Sequence, residues 1–426
     1  MRRIYTLLVS IASPLAFGVL LLRGLRDHGY WQGLGERFGG GRRLQGAQCV
    51  WLHAVSLGEV AAAAPIVRAL RAREPGTPIV VTTSTPTGRS RARGLFGDGI
   101  DVRFLPYDMP GAVSRFLSNI QPKLAIVMET ELWPNLFREC ARRKLPLLLA
   151  SARLSSRSVS RYRRFGALFR GVFTDNVVVA AQTHEDAERF RRIGADPARV
   201  HVIGNVKFDL ELDPRGAEQA RALRAQYLGG RPTWIAGSTH PGEDAQVLEA
   251  HAAVAARVPG ALLILAPRHP QRFDGVAALL AQRHCRFVRR SAGVPVPADA
   301  GVLLLDSVGE LAAFYACAEI AFVGGSLVPI GGHNLLEPAA LGIPVLTGPS
   351  AGNGPEIAAL LLREGGALGV VDAHGLGDAV IQLFDEPESR RRIGAVGRRI
   401  VAAHSGSVAR LLELIATTAS TQYVVL

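Results

Sequence analysis

The sequence predicts an α/β protein of two parallel-sheet domains preceded by an apolar N-terminal helix. Three observations carry this. The chain has 426 residues, 48% of them hydrophobic, enough for two separate cores. Both halves alternate apolar strands, turns and amphipathic helices, a pattern that yields parallel sheets covered on both faces. Residues 4–22, IYTLLVSIASPLAFGVLLL, carry no charge over the length of a bilayer-spanning helix.

Taken in order, residues 1–26 read as a membrane anchor. Arg2 and Arg3 precede the apolar run and Arg23, Arg26, Arg37, Arg42 and Arg43 follow it. The larger positive flank is C-terminal, which places the main body in the cytoplasm. No A-x-A-like site follows, which argues against a cleaved leader. Thr6, Ser10, Ser13 and Pro14 weaken a span, so a helix lying in the membrane interface is the alternative. Because the run ends before the first strand, no core contact should need it. Residues 27–205 form the first domain, with strands at Cys49–His53, Ile79–Thr83, Asp101–Leu105, Leu124–Met128, Leu147–Ala150 and Val177–Ala181 and helices such as Ala61–Arg73 and Ala112–Asn119. Residues 206–232 read as a linker, holding a polar helix (Pro214–Tyr227) and the break Gly229-Gly230-Arg231-Pro232. Residues 233–404 form the second domain, with strands at Thr233–Ala236, Ala261–Ala266, Val302–Leu305, Ile320–Val323 and Pro344–Thr347. Residues 405–426 begin with a helix (Ser405–Thr418) expected to pack back on the first domain.

The net charge of +13 implies an anionic partner: nucleic acid, an acidic membrane or a phosphorylated substrate. Cys49, Cys140, Cys285 and Cys317 are scattered without CxxC spacing, which argues against a zinc site or a disulfide framework.

The most informative stretch is EIAFVGGSLVPIGGHNLLEPAAL, residues 319–341. A strand runs into Gly324-Gly325-Ser326, and a second pair, Gly331-Gly332, precedes His333-Asn334 and a helix start holding Glu337. Glycines admit a ligand close to the backbone, a helix N-terminus favours phosphate, and Glu337 could take ribose hydroxyls. The structural reading is a tight turn capped by Asn334, with Glu337 completing a capping box. In the first half, HAVSLGE places Glu59 at a strand-to-helix turn, as a general base or as the capping-box partner of Ser56. Glu129, Glu131 and Trp133 follow another strand and suit a sugar, or else a helix first turn. Thr82–Gly88 is a polar pocket wall or a solvated loop. In the second half, Ser238 follows a strand and could meet a phosphate through backbone N–H groups. Arg268, at a strand end, could fork onto a phosphate, and His269 beside it is an aid or a bystander. Capping suits Ser307 and Glu310. The sequence has no Asp-x-Asp, no Walker lysine and no metal-ligand spacing.

Together these motifs resemble the 3-deoxy-D-manno-octulosonic acid (Kdo) transferases of lipopolysaccharide synthesis. The resemblance runs from the N-terminal anchor through HAVSLGE, TTSTPTG, METELWPNL, ARLS, GNVKFD, AGSTHPGED, APRHPQRF and DSVGEL to FVGGSLVPIGGHNLLEPAALGIPVLTGP, in that order. It implies a GT-B type fold: two Rossmann-like domains with parallel sheets facing a cleft, plus the N-terminal membrane-anchor helix. It implies inverting transfer of Kdo from CMP-Kdo to the lipid A precursor (lipid IVA), at the cytoplasmic side of the inner membrane, with no metal and no other cofactor. Glu59 then matches the base and Glu129 a second required acid. Arg268, Gly325, Asn334 and Glu337 match the CMP site, joined on the donor side by Ser238 and by Lys207, for a carboxylate or phosphate. Ser56, Gly58, Thr83 and Trp133 fall on the acceptor side. The basic surface then serves anionic lipid and no nucleic acid. Two departures stand out. Ser350-Ala351-Gly352-Asn353 replaces the family's His and aromatic, leaving only Asn353 for that loop. Ser151 stands where Asn often begins the Asn-x-Arg-Leu-Ser motif. The rivals are a transferase or epimerase of similar fold using a UDP-sugar, and a lipid-A-binding protein without chemistry.

Overall fold

A computed structural model describes residues 2–25, 27–46, 48–169, 171–210, 215–352 and 354–423. The expected α/β class is observed. The chain divides into two compact units, residues 1–209 with 405–426, and residues 210–404.

The first unit holds seven parallel strands: β1 (Cys49–His53), β2 (Ile79–Thr83), β3 (Asp101–Phe104), β4 (Pro122–Met128), β5 (Leu147–Ala152), β6 (Val177–Ala181) and β7 (Val200–Val202). Their order is β3-β2-β1-β4-β5-β6-β7. CVWLH, IVVTT and VVVAA are buried at every position, as strands covered on both faces must be. The strands of the second unit are β8 (Thr233–Thr239), β9 (Leu262–Pro267), β10 (Phe287–Arg289), β11 (Val302–Leu304), β12 (Ile320–Val323), β13 (Val345–Thr347) and β14 (Ala367–Gly369), in the order β10-β11-β9-β8-β12-β13-β14. The sequence reading lacks β7, β10 and β14. All three are three-residue edge strands with an incompletely buried pattern, and they show no apolar run to find.

The helices that position the site in the first unit are α1 (Arg2–Gly24), α2 (Leu57–Arg73), α3 (Pro86–Phe96), α4 (Pro110–Ile120) and α5 (Pro134–Arg142). One boundary expectation changes. Residues 206–232 are not a linker. Val206 and Phe208 are buried in the first unit, whereas Tyr227 and Leu228 are buried in the second, where Arg224 pairs with Glu319 at 2.9 Å. The helix there runs Gly216–Leu223 and closes in a π turn, Arg224–Leu228; its expected start, Pro214, and residues 211–213 lie outside the described residues. The C-terminal helix, Ser407–Tyr423, belongs to the first unit, where the Asp209 carboxylate accepts the Ser407 N–H at 3.2 Å.

The apolar N-terminal run does touch the body, contrary to expectation. The Tyr5 hydroxyl donates to Asp108 at 2.9 Å, the Thr6 hydroxyl to Asn135 at 2.9 Å, and Phe17 meets Phe38 edge-on at 5.4 Å. A charge-free run carries no signal for such contacts, because hydroxyls and aromatics at helical spacing dock as well as they insert. Met1 and Arg26 of the 1–26 segment lie outside the described residues.

Candidate active site

In the first sheet, the chain leaves β1 towards β2 and later returns to β1's other side as β4. Ligands of open parallel sheets bind outside the carboxyl ends of strands at such a reversal. The turns leaving β1 and β4 carry the acids. After β1, Ser56 takes an extended backbone and its hydroxyl oxygen accepts the Glu59 N–H at 3.4 Å, capping α2. The Glu59 carboxylate reaches back, Oε2 accepting the Val55 N–H at 2.9 Å and Oε1 the Ser56 hydroxyl at 3.2 Å. Capping and catalysis are compatible here, because a carboxylate bonded twice retains free lone pairs. Burial raises the Glu59 pKa, opposed by the Val55 N–H; Glu129 raises it further, while Ser56 and Lys207 lower it.

After β4, Glu129 adopts a left-handed backbone, φ +53°, an uncommon conformation for a non-glycine residue. Its Oε2 pairs with Arg153 Nε at 3.0 Å and its Oε1 with Lys207 Nζ at 3.1 Å. Lys207 therefore stands beside the acids of the first unit, its ammonium on the half-buried Glu129 carboxylate. Glu131 completes the group. Burial, then Glu59, push its carboxyl up to about 7; Trp133 opposes, and Glu129 adds to the rise. The Trp133 indole N–H lies against this carboxylate without completing a well-formed hydrogen bond. Glu131 was read only as suiting a sugar, and Arg153 was not among the expected site residues, although both lie in quoted motifs. Nothing in their spacing reveals the charges they face.

The Glu131 environment makes a prediction. Its folded pKa lies above the ordinary 4.5, so the cost of ionising it is absent at low pH and grows as pH rises towards 7. Glu131→Gln should stabilise the protein at pH 8 by about 2 kcal/mol, discounted for partial exposure, with most of the gain gone by pH 5. Urea unfolding at the two pH values checks this; equal effects at both would contradict it.

The other acceptor-side residues separate. Gly58 lies exposed in the first turn of α2, where an added Cβ would find Ser56 Oγ at 4.0 Å. Trp133 precedes α5 and packs partly on the core. Thr83 is fully buried, its hydroxyl on the Thr85 carbonyl at 3.4 Å, so it offers a substrate no surface. The following loop braces the Glu59 turn, Ser84 N–H donating to the Val55 carbonyl at 3.1 Å.

In the second unit the corresponding reversal lies between β8 and β12. Here the reading of the glycine-rich segment changes. Glu243 is fully buried, and its carboxylate accepts the N–H groups of Gly325 (2.7 Å), Ser326 (3.1 Å), Leu327 (2.9 Å) and His240 (3.2 Å). Three of the amides that could have cradled a phosphate, those of Gly325, Ser326 and Leu327, are taken by an internal carboxylate. A Cβ at Gly324 would stand 2.7 Å from Glu243 Oε2 and from the Ser238 carbonyl, so the first glycine serves this close packing. Gly325 itself has φ +73°. The helix behind Gly331-Gly332 has only five residues, Leu336–Ala340, and its dipole is correspondingly small. The Asn334 side-chain oxygen accepts the Leu336 N–H at 3.1 Å, and its amide donates to Glu337 Oε1 at 3.0 Å, in place of a reciprocal capping box.

Around this edge stand Arg268, Glu337, Ser238 and three histidines. Arg268 is exposed at the end of β9, with no ion-pair partner among the described residues, whereas nearby Arg272 is held by Asp244 and the Thr239 carbonyl. Burial raises the Glu337 pKa, offset by Asn334 and then by Arg268. His240 and His333 stack with centroids 5.0 Å apart and Nε2 atoms 2.7 Å apart, and His269 meets His240 edge-on at 5.4 Å. Burial, then Arg268, hold His333 down to about 4, so this pair is neutral at physiological pH and one ring donates to the other. Ser238 sits at a bulge in β8 with φ +60°. Glu243, His240 and His333 were missed as site residues; AGSTHPGED and GGHN contain them, yet spacing cannot pair residues about 90 positions apart.

Both departures fall on backbone that the surrounding chain constrains. Ser151 is buried with φ +51°, a conformation Asn tolerates better than Ser, and its carbonyl accepts from Gln182 at 2.9 Å. Ser350 N–H donates to the Ser326 carbonyl at 3.0 Å, laying that loop on the glycine-rich segment; Asn353 lies outside the described residues. A cavity of about 1160 Å³ opens at the amino ends of β1, β4 and β5, beside Gln48, Pro122 and Pro146, at the edge opposite the acids.

Residues 32–210 match the family model described as 3-Deoxy-D-manno-octulosonic-acid transferase (kdotransferase). The chain is 41% identical over 417 residues to the 3-deoxy-D-manno-octulosonic acid transferase of Haemophilus influenzae, covering 97% of this chain and 98% of that one. It is 39% identical over 425 residues to the Bordetella pertussis protein of the same name, with 97% and 98% covered. Among solved structures it is similar to a UDP-GlcNAc 2-epimerase from Neisseria meningitidis bound to UDP-GlcNAc, with a TM-score of 0.56, 16% identity and 87% of this chain and 100% of that one covered. A glycosyltransferase from Rickettsia africae gives 0.55, 13%, 88% and 99%. These two likenesses concern the fold alone, which is of the GT-B type.

Proposed function

We infer that this chain, which belongs to the 3-deoxy-D-manno-octulosonic acid (Kdo) transferase family, moves Kdo from CMP-Kdo to the lipid A precursor with inversion and without a metal. It is a glycosyltransferase of lipopolysaccharide synthesis. The observation that carries the mechanistic reading is the Glu59 carboxylate. It is oriented by Val55 N–H and the Ser56 hydroxyl at the carboxyl end of β1, and burial raises its basicity. Glu59 removes the proton from the acceptor hydroxyl as that oxygen attacks the anomeric carbon of Kdo. The bond from that carbon to the phosphate oxygen breaks on the opposite face, and CMP leaves with the electron pair. A single displacement inverts the centre. Glu129, held between Arg153 and Lys207, keeps a second negative charge near Glu59 and so supports its basicity. Arg268 takes the phosphate of the leaving CMP, and Glu337 the ribose. With the glycine-rich amides occupied by Glu243 and only a short helix behind them, phosphate recognition rests chiefly on Arg268.

The enzyme acts at the cytoplasmic side of the inner membrane, and its net charge of +13 suits an anionic leaflet and a phosphorylated lipid acceptor. The described residues include no group of three or more His, Cys, Asp or Glu side chains arranged for a metal ion. Incubation with a CMP-Kdo-generating system and a tetra-acylated lipid A precursor, read by mass spectrometry, tests the reading: the precursor should gain the mass of Kdo. EDTA in the same assay should leave turnover intact, and loss restored by Mg²⁺ or Mn²⁺ would contradict metal independence.

The donor assignment has its own test. CMP should raise the melting temperature more than UMP or UDP at equal concentration, because only a ligand bound by the native state shifts unfolding by mass action. Equal or greater protection by UDP would favour a UDP-sugar donor.

A further inference from the structure

We propose that α1 lies in the plane of the membrane surface, seated in an anionic leaflet by its outer face, and does not cross the bilayer. This rests on the reading of the chain as an enzyme that meets a lipid acceptor at a membrane. The helix has two opposite faces. Tyr5, Thr6, Ser13, Phe17 and Leu20 fall on one side at helical spacing. Tyr5 and Thr6 hydrogen-bond Asp108 and Asn135, Ser13 and Leu20 are buried, and Phe17 packs on Phe38. The docked stretch from Tyr5 to Leu20 covers roughly 22 Å of a 1.5 Å-per-residue helix. A spanning helix needs about 30 Å surrounded by lipid or other spans, and a helix tied to the protein body on one face at Tyr5, Thr6 and Phe17 is not surrounded by lipid over that length.

The opposite side is apolar and open. Ile4, Leu7, Leu8, Ile11, Leu15 and Leu22 are 59–73% exposed and lie on one stripe, half a turn from the docked residues. Soluble surfaces rarely present such a contiguous stripe, and its surroundings name the occupant. No acidic residue occurs from Arg2 to Gly24, and Arg3 and Arg23 flank the stripe. At its far end Trp31 is 39% exposed and donates its indole N–H to the Leu21 carbonyl at 3.1 Å, and Arg23 lies over the Tyr30 ring at 5.9 Å. Aromatic rings and arginines beside an apolar stripe match the headgroup level of an anionic bilayer.

The seating bears on the chemistry. Asp108 accepts the N–H groups of Asn135 and Leu136, at 3.0 and 2.7 Å, as well as the Tyr5 hydroxyl. These two residues open α5, which follows the Glu129–Glu131 turn. The contacts of α1 thus link the helix, through Asp108, to the start of α5 and the acid-bearing turn before it.

Full-length protein with an N-terminal epitope tag, expressed in a Gram-negative host, tests this by protease accessibility. In sealed inside-out inner-membrane vesicles the tag should be cleaved together with the exposed body, and in right-side-out spheroplasts it should be protected. A tag protected in inside-out vesicles and cut in spheroplasts would show a spanning helix, overturning the proposal while leaving the membrane location intact. Protein absent from membranes altogether would overturn both. Leu8→Glu with Leu15→Glu should weaken binding of the purified protein to phosphatidylglycerol-containing vesicles by at least about tenfold, with an unchanged circular-dichroism spectrum. Undiminished binding would refute the seating. So would a lipid-free dimer that this double variant makes monomeric while vesicle binding persists, since the stripe would then face a second copy.

Discussion

Glu59→Gln should lower the rate of transfer by on the order of 10²–10⁴ while leaving folding and CMP affinity close to wild type. The substitution keeps the length and shape of the side chain. Its amide oxygen can still accept the Val55 N–H, now taken by Oε2 at 2.9 Å, so the helix start survives with a loss of at most about 1 kcal/mol. The proton acceptor is gone, because an amide does not take a proton at neutral pH. The wild-type rate should also fall on the acid side through a pKa above the usual carboxylate range, since burial raises that of Glu59. Single-turnover assays alongside thermal unfolding and CMP titration separate the roles. Near-normal turnover at normal stability would leave Glu59 a helix cap and move the base to Glu131 or Glu129.

The largest effect on stability is expected at Glu243. Glu243→Ala should destabilise the protein by about 4 kcal/mol, because four N–H donors lose their acceptor inside the protein. Glu243→Gln should recover only part of that loss. It keeps one acceptor oxygen but turns an NH₂ group towards donors. Urea unfolding measures both, and a loss under about 1 kcal/mol for the alanine variant would mean that water replaces the carboxylate at little cost. CMP protection measured on the glutamine variant then reports whether the glycine-rich segment, once loosened, still holds the nucleotide.

The central strands were legible because a strand buried on both faces must be a run of apolar residues, and CVWLH, IVVTT and LLILAP are such runs. The turns that follow them were legible for a related reason. Polar residues that abruptly end an apolar run mark the carboxyl edge of a parallel sheet, which locates Glu59, Glu129, Ser238, Arg268 and Gly325 without coordinates. What each residue does at that edge was less accessible. Gly325 reads as a phosphate cradle until Glu243, 82 positions earlier, is found on its N–H. The motif around Lys207 carries no sign of Glu129, 78 positions away, on which its ammonium is found.

By itself the sequence determined the α/β class, the order of the central strands along the chain, the charge that calls for an anionic partner and the membership of a transferase family. Those properties are written in local composition and in ordered motifs, which survive without knowledge of what touches what. Only the tertiary structure decided which carboxylates share a site, which amide groups are already satisfied, and which face of the N-terminal helix is docked. A hydrogen bond or ion pair depends on the approach of residues far apart in sequence, here Tyr5 with Asp108, Lys207 with Glu129 and Glu243 with Gly325. Buried polar groups must find partners when the chain folds, and the partner chosen is a matter of geometry that periodicity and spacing do not encode.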